Sequence, residues 1–238
     1  MSVLSKLIAE YAGKHPVFTA SELVASVPSG LISSRSTLEW HLGQLVREGK
    51  LARIGKGRYT TNPRPAFLPS PEETDASLYH LLKEWYPEAT FCVYKGCIFS
   101  SLQHHLSYNA MTYIETQREV TEALFHRFQD EGKHVFHRPD KKVFNEYVDI
   151  TKPGIIIKPL ITGSPLQEVD GVTVPMLEKL LVDIHCDADF DYMAGSESAR
   201  MLENAVSLFT INATKLLRYA GRRHCREVFE QELNDLGL

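Results

Sequence analysis

Nine consecutive residues, Asp183-Ile184-His185-Cys186-Asp187-Ala188-Asp189-Phe190-Asp191, bring four carboxylates, an imidazole and a thiol into one stretch. Oxygen, nitrogen and sulfur donors of this kind hold divalent cations. The alternating acids resemble part of a calcium-binding loop, but the glycine and the terminal glutamate of that pattern are missing. The stretch closes a predicted amphipathic helix and runs into a loop, where acids face water. The expectation is solvated charge and no bound metal.

Other combinations with chemical potential are fragments. A nucleotidyltransferase needs Gly-Ser followed by paired carboxylates on a neighbouring strand; Gly163-Ser164 runs instead into Pro165-Leu166. Asp149, Lys158 and Glu178-Lys179 are pieces of a metal-dependent nuclease signature, with no Glu-x-Lys on a predicted strand after a suitable Asp. His104-His105 lacks the i, i+4 spacing that puts two ligands on one helix face, so a surface role is expected. No nucleophile elbow, phosphate loop or dinucleotide fingerprint occurs. These residues assign no catalytic group and no cofactor. A metal-dependent nuclease or nucleotidyltransferase guided by a DNA-reading domain stays open as the alternative.

A different chemistry gathers near the N-terminus. Ser33, Ser34, Arg35, Ser36 and Thr37 stand at the start of a predicted helix, with Trp40, His41 and Gln44 off its apolar stripe. Hydroxyls and helix N-terminal amides suit phosphate oxygens, and Gln44 could pair with adenine. Arg53, Lys56 and Arg58 surround Gly55 and Gly57, where cations and a close-approaching backbone suit a phosphate or the minor groove. Trp40 could read the groove or lie as core under the hairpin.

The elements that must hold these residues follow from periodicity. Val3, Leu4, Leu7, Ile8 and Tyr11 form one helical stripe, stopped by Gly13 and Pro16. Thr19 or Ser21 could cap a short second helix at Glu22-Leu23-Val24. Ser34 or Ser36 could cap a third, with Glu39 at capping-box spacing from Ser36. Its core face is Leu38, Leu42, Leu45 and Val46, and Gly49 ends it. Residues 51–54 and 58–60 read as a β-hairpin. Three helices and a hairpin in this order predict a winged helix-turn-helix over residues 1–61, a fold that places a helix in the major groove. Winged helices also dock proteins, and that adaptor role is a further alternative.

Charge supports the division. Residues 1–62 hold eight Lys and Arg against four acids, whereas the rest holds 18 against 26. The chain's formal charge of −4 is thus a basic head on an acidic body. Four prolines between Pro63 and Pro71 predict an extended linker over residues 62–71.

Residues 72–238 predict a larger mixed α/β domain. Helices are expected over 72–85, 99–106, 119–128 and 175–184, the last with Pro175 in its first position. Strands are expected at 90–94, 111–115, 134–137 and 154–160, with 169–174 continuing that sheet through Asp170-Gly171. The tail from about 196 to 236 reads as helical, with a break at Gly221. It carries a second basic cluster, Lys215, Arg218, Arg222, Arg223, His224 and Arg226. The i, i+4 steps from Arg218 to Arg222 to Arg226 place these three on one face. That face could clamp DNA or pair with acids of its own domain.

The longest aliphatic run is Ile155-Ile156-Ile157, far short of a membrane span. The N-terminus lacks a signal-peptide core. The four cysteines, Cys92, Cys97, Cys186 and Cys225, read as reduced thiols of a cytoplasmic protein. Oligomeric state is not fixed by any of these features.

The stretch from Thr37 through Trp40-His41-Leu42-Gly43-Gln44-Leu45 to Lys50-Leu51, followed by Gly55-Lys56-Gly57-Arg58-Tyr59, resembles the N-terminal domain of AbiEi-type antitoxins. Those belong to type IV abortive-infection toxin–antitoxin systems. The order of parts is similar over the whole chain. In the larger domain the likeness rests on domain size, on residues 175–183 and on the helical tail. The resemblance implies a DNA-binding repressor acting on its own promoter. It also implies a functional link to a nucleotidyltransferase-like toxin, without a stable complex.

Overall fold

A computed structural model describes residues 3–27, 34–55, 57–61, 64–103, 108–193 and 195–236; for Val3 and Ser196 only the backbone is described. The chain is mixed α/β, with three small sheets among the described residues.

The first sixty residues build α1 (Val3–Lys14), β1 (Val17–Thr19), α2 (Ala20–Ser26), α3 (Arg35–Arg47), β2 (Ala52–Gly55) and β3 (Arg58–Thr60). The hairpin forms where the sequence places it. A third strand joins it, because Val17–Thr19 pairs antiparallel with β3 in the order β1-β3-β2. That register sets Phe18 opposite Tyr59, and both rings close a core with Leu4, Ile8, Leu23, Leu38, Leu42 and Leu45. The reciprocal capping box lies at Thr19 and Glu22, ahead of α2. At α3, Ser34 caps through its hydroxyl, and Glu39 pairs with Arg35 instead of reaching back to Ser36.

The larger part begins with α4 (Glu73–Trp85) and β4 (Phe91–Lys95). It continues through β5 (Met111–Thr116), α5 (Arg118–Asp130), β6 (Val135–His137), α6 (Lys141–Tyr147) and β7 (Gly154–Pro159). Strand order is β4-β5-β7-β6, with β4 antiparallel to β5 and the other pairings parallel. Alternation sorts the side chains. Val93, Ile114 and Ile157 stand in register and pack under α4 and α5, whereas Tyr94, Tyr113 and Ile156 face the helical tail. The sheet is therefore covered on both faces, as parallel pairing requires.

Three expectations are corrected. The predicted continuation of the sheet is a separate hairpin, β8 (Leu166–Val169) and β9 (Val172–Pro175). Its two-residue turn places Asp170 and Gly171 at positive φ, and β9 packs beside β4 without joining its ladder. Pro175 ends β9, and α7 (Leu177–Cys186) starts two residues later. Of the described residues 99–103, only Phe99 lies in a regular element, the 3-10 turn Gly96–Phe99; residues 104–107, including His104 and His105, lie outside the described residues. The tail is α8 (Ser196–Leu208), α9 (Ala213–Arg222) and α10 (Arg226–Asp235).

The proline-rich segment is extended but fastened. Phe67 is buried in the larger core, 5.2 Å edge-on to Phe209. Thr210 N–H donates to the Pro65 carbonyl at 3.0 Å, and Gln167 Nε2 donates to the Phe67 carbonyl at 3.1 Å. The hairpin in turn lies against the tail: β2 packs on α9, with Gly55 beside Thr214. Ile54, Val206, Phe209 and Ile211 line a cavity of about 230 Å³ at this junction. Among the described residues no helix is long and apolar enough to cross a membrane.

Candidate functional site

The polar surface expected near the N-terminus is set out by the helical period of α3. Leu38, Leu42 and Leu45 point into the core, which turns Ser34, Arg35, Ser36, Glu39, Trp40 and Arg47 outward. Trp40 is 57% exposed, so it is not core under the hairpin. The remaining candidates are partly engaged. The Ser34 hydroxyl accepts from Thr37 N–H at 3.1 Å. Arg35 Nε lies 3.1 Å from Glu39 across exposed positions, a surface pair that contributes little and opens readily. His41 turns toward α1, its Nδ1 3.2 Å from Ser5 Oγ. Gln44 Oε1 accepts from Arg47 at 3.1 Å.

In the hairpin, Arg53 is exposed and donates through Nε to the Gly55 carbonyl at 3.2 Å. Arg58 is half-buried on β3; it adds to the lowering of the Glu22 carboxyl, which comes first from hydrogen bonds with Thr19. Lys56 lies outside the described residues. Gly57, at φ +70°, supplies the left-handed turn, and its carbonyl accepts from Ala20 N–H at 2.7 Å.

The second basic cluster is divided by the fold. Arg218 and Arg222 share the exposed face of α9. The predicted continuation to Arg226 fails, because α9 ends at Arg222 and His224 adopts φ +60° before α10 begins. Arg226 pairs with Glu230 at 2.7 Å. Lys215 is half-buried, with Nζ 3.5 Å from Met176 Sδ. Arg223 turns inward to Asp183, at 3.0 Å, and to Asp187.

That inward turn leads to a constellation that the sequence pattern places in solvent. Glu115 and Lys158 stand in register on parallel β5 and β7, on the face covered by α7. Lys179 on α7 places Nζ 2.7 Å from Glu115 and in contact with Asp183. Asp183 also accepts from Tyr219 at 2.8 Å and from Arg223. Lys158 reaches Asp187 at 2.7 Å and Asp189 at 3.0 Å. Tyr94 donates to Glu115 at 2.9 Å. The acids predicted to be solvated are instead buried: Asp183 is fully enclosed and Asp189 is 5% exposed. Only Asp191 behaves as expected, in an exposed pair with Lys141 at 2.6 Å.

Burial and pairing oppose each other in this network, and at Asp183 and Asp189 burial wins and raises the carboxyl. For Lys179 and Lys158, burial favours loss of the proton, but the neighbouring carboxylates outweigh it and hold both ammonium groups above the usual lysine range. For Asp187, burial pushes upward, yet Lys158 and Arg223 together hold the carboxyl below the usual range. A cleft of about 320 Å³ opens beside the network, with Arg138 at its exposed rim. Among the described residues no group of three or more His, Cys, Asp or Glu is arranged to hold a metal ion. In the network each carboxylate faces a cation, so the donor set is already saturated by lysine and arginine.

A family of unknown function, DUF6577, matches residues 37–237. This chain belongs to that family. The DUF6577 match begins inside α3 and takes in the hairpin, the extended strap and the whole larger part. No curated protein matches this chain.

In this DUF6577 member the network residues carry a weak sequence signal. Glu115 follows Tyr113-Ile114, Lys158 follows three isoleucines, and Glu178-Lys179 interrupts an apolar helix stripe. A charge at a core position of a regular element must be paired. The partners lie far away in sequence, 64 residues apart for Lys179 and Glu115, so no local pattern names them.

Proposed function

We propose that this DUF6577 protein is a cytoplasmic repressor that binds double-stranded DNA of its own promoter through residues 1–61, folded as a winged helix-turn-helix. The observation that carries the reading is the outward face of α3. It offers Trp40, Arg35 and Ser36 to solvent while the leucine stripe holds the helix on the domain core. The element order α1-β1-α2-α3-β2-β3 with sheet order β1-β3-β2 is consistent with a winged helix. A helix presented this way fits the major groove, and the adjacent hairpin brings Arg53 and Arg58 toward the backbone. The exposed Arg218 and Arg222 of α9 would add a second contact; Arg223 is held by buried acids and does not, whereas Arg226 stays exposed in a surface pair with Glu230.

Fluorescence anisotropy against the upstream DNA at several salt concentrations tests this. Joint substitution of Arg53 and Arg58 by Ala reduces affinity and flattens the salt slope by about 0.9 for each phosphate no longer neutralised. Unchanged slope would remove the hairpin from the interface, and no binding to any upstream fragment would favour a protein-docking role. Antitoxin activity rests on the sequence resemblance. Its test is rescue of growth when this protein is co-expressed with a neighbouring nucleotidyltransferase-like gene product.

A further inference from the structure

Two thiols that the DNA-binding reading does not use face each other, one of them, Cys186, in the wall of the cleft. Cys186 is the last residue of α7, and Cys225 caps α10 just after the Arg223–His224 turn. Their sulfurs are 3.0 Å apart, and both are free. Non-bonded sulfurs rarely come so near, and a disulfide bond is about 2.05 Å. The backbone brings them there without the bond: Cys225 N–H donates to the Ala220 carbonyl at 3.0 Å, closing the α9 terminus. Cys186 is half-buried and lines the cleft, which gives a small reagent a route to one sulfur, whereas Cys225 is 8% exposed.

We infer that Cys186 and Cys225 form a reversible dithiol–disulfide pair, an oxidative modification site for a small peroxide entering through the cleft. The Cys186 thiolate attacks one peroxide oxygen; the S–O bond forms, the O–O bond breaks, and one water leaves after protonation. The Cys225 thiolate then attacks the Cys186 sulfur, the S–O bond breaks with its oxygen leaving as a second water, and the disulfide remains. Two thiols and one hydrogen peroxide thus give one disulfide and two waters. A dithiol reductant reverses the step by exchange. Burial, the first cause for both groups, holds the two thiols above the ordinary cysteine range. Once closed, the bond ties the end of α7 to the turn that carries Arg223, whose guanidinium already grips Asp183 and Asp187.

The test uses the full chain treated with hydrogen peroxide until no further reaction occurs, followed by intact-mass measurement and peptide mapping under non-reducing conditions. The expected result is a loss of about 2 Da, from two hydrogens, and a cross-linked peptide joining Cys186 to Cys225. The melting temperature should rise on the order of 10 °C, because a loop of about 40 residues is closed in the unfolded chain. Dithiothreitol should restore the starting mass. Cys97→Ser should leave the cross-link in place, and Cys186→Ser should abolish it. Because the wild-type peptide map is decisive alone, an unstable Cys186 variant does not weaken the test. Oxygen added to either sulfur without a cross-link, or a cross-link through Cys92 or Cys97, would overturn the assignment. Neither outcome depends on DNA binding.

Discussion

The head and the larger part of this protein use charged residues in opposite ways. In the head, the core around Leu4, Ile8, Leu38, Leu42 and Leu45 buries no charged residue among those described, and the described cations of α3 and the hairpin lie at or near the surface. In the larger part, Lys179, Glu115, Asp183 and Asp189 are buried and Lys158 is partly so, with their charges matched to one another. An exposed cation keeps its capacity for an anionic partner at little stability cost. An enclosed cation is committed, because removing either partner strands the other in a poor dielectric. The two parts differ accordingly: one leaves its charge at the surface, and the other uses charge to fix β5, β7, α7 and the α9 terminus in one arrangement.

Removing the centre of the enclosed network should give the largest effect. Lys179→Met leaves Glu115 and Asp183 without their shared cation and should cost about 3–5 kcal/mol, read by urea unfolding. A loss below about 1 kcal/mol would mean that the network is not what fastens α7 to the sheet. Leu42→Ala in the head should cost about 2–5 kcal/mol through cavity formation, with DNA binding falling in proportion to the unfolded fraction.

Asp187→Asn gives a smaller effect that depends on pH. The folded-state carboxyl is held below the usual range, so its contribution is present above the unfolded value of about 3.9 and fades as pH falls toward the folded value. The variant should be less stable than the parent at pH 7, with the gap narrowing below about pH 4. Thermal melts from pH 7 to pH 3 check this, and a constant gap would break the assignment. Trp40→Ala should have the least effect on stability, within about 0.5 kcal/mol, because the ring is exposed. Its consequence should appear in DNA affinity alone. A large loss of stability would erase the contrast between the two parts.

Much of the architecture is legible in the sequence because local rules settle it. The Leu38-Leu42-Leu45 stripe, the hairpin around Gly57 and the isoleucine run of β7 follow from periodicity and turn chemistry. Strand β1 is not, since three residues carry no period and Val17–Thr19 becomes a strand only by pairing with β3. Helix α6, seven residues capped by Asp140, is likewise too short to show a stripe. The acids of residues 183–191 are legible as a cluster, but their burial depends on Lys158 and Arg223, which the sequence places 29 and 36 residues away from Asp187. Local composition reports which charges are near one another along the chain. It does not report which are brought together by a sheet register.

Helix α9 meets the head near its first turn, where Thr214 lies beside Gly55, and its last residue precedes the Arg223 turn bound into the ionic network. Ten residues of helix span about 15 Å. The helix is thus a short strut with both ends anchored: a shift of the 223–225 turn must be absorbed either by bending within α9 or by tilting the hairpin that rests on it. The strap is fastened at Pro65 and Phe67 to the larger part alone, so α9 beneath the hairpin is the support that bears on the orientation of α3.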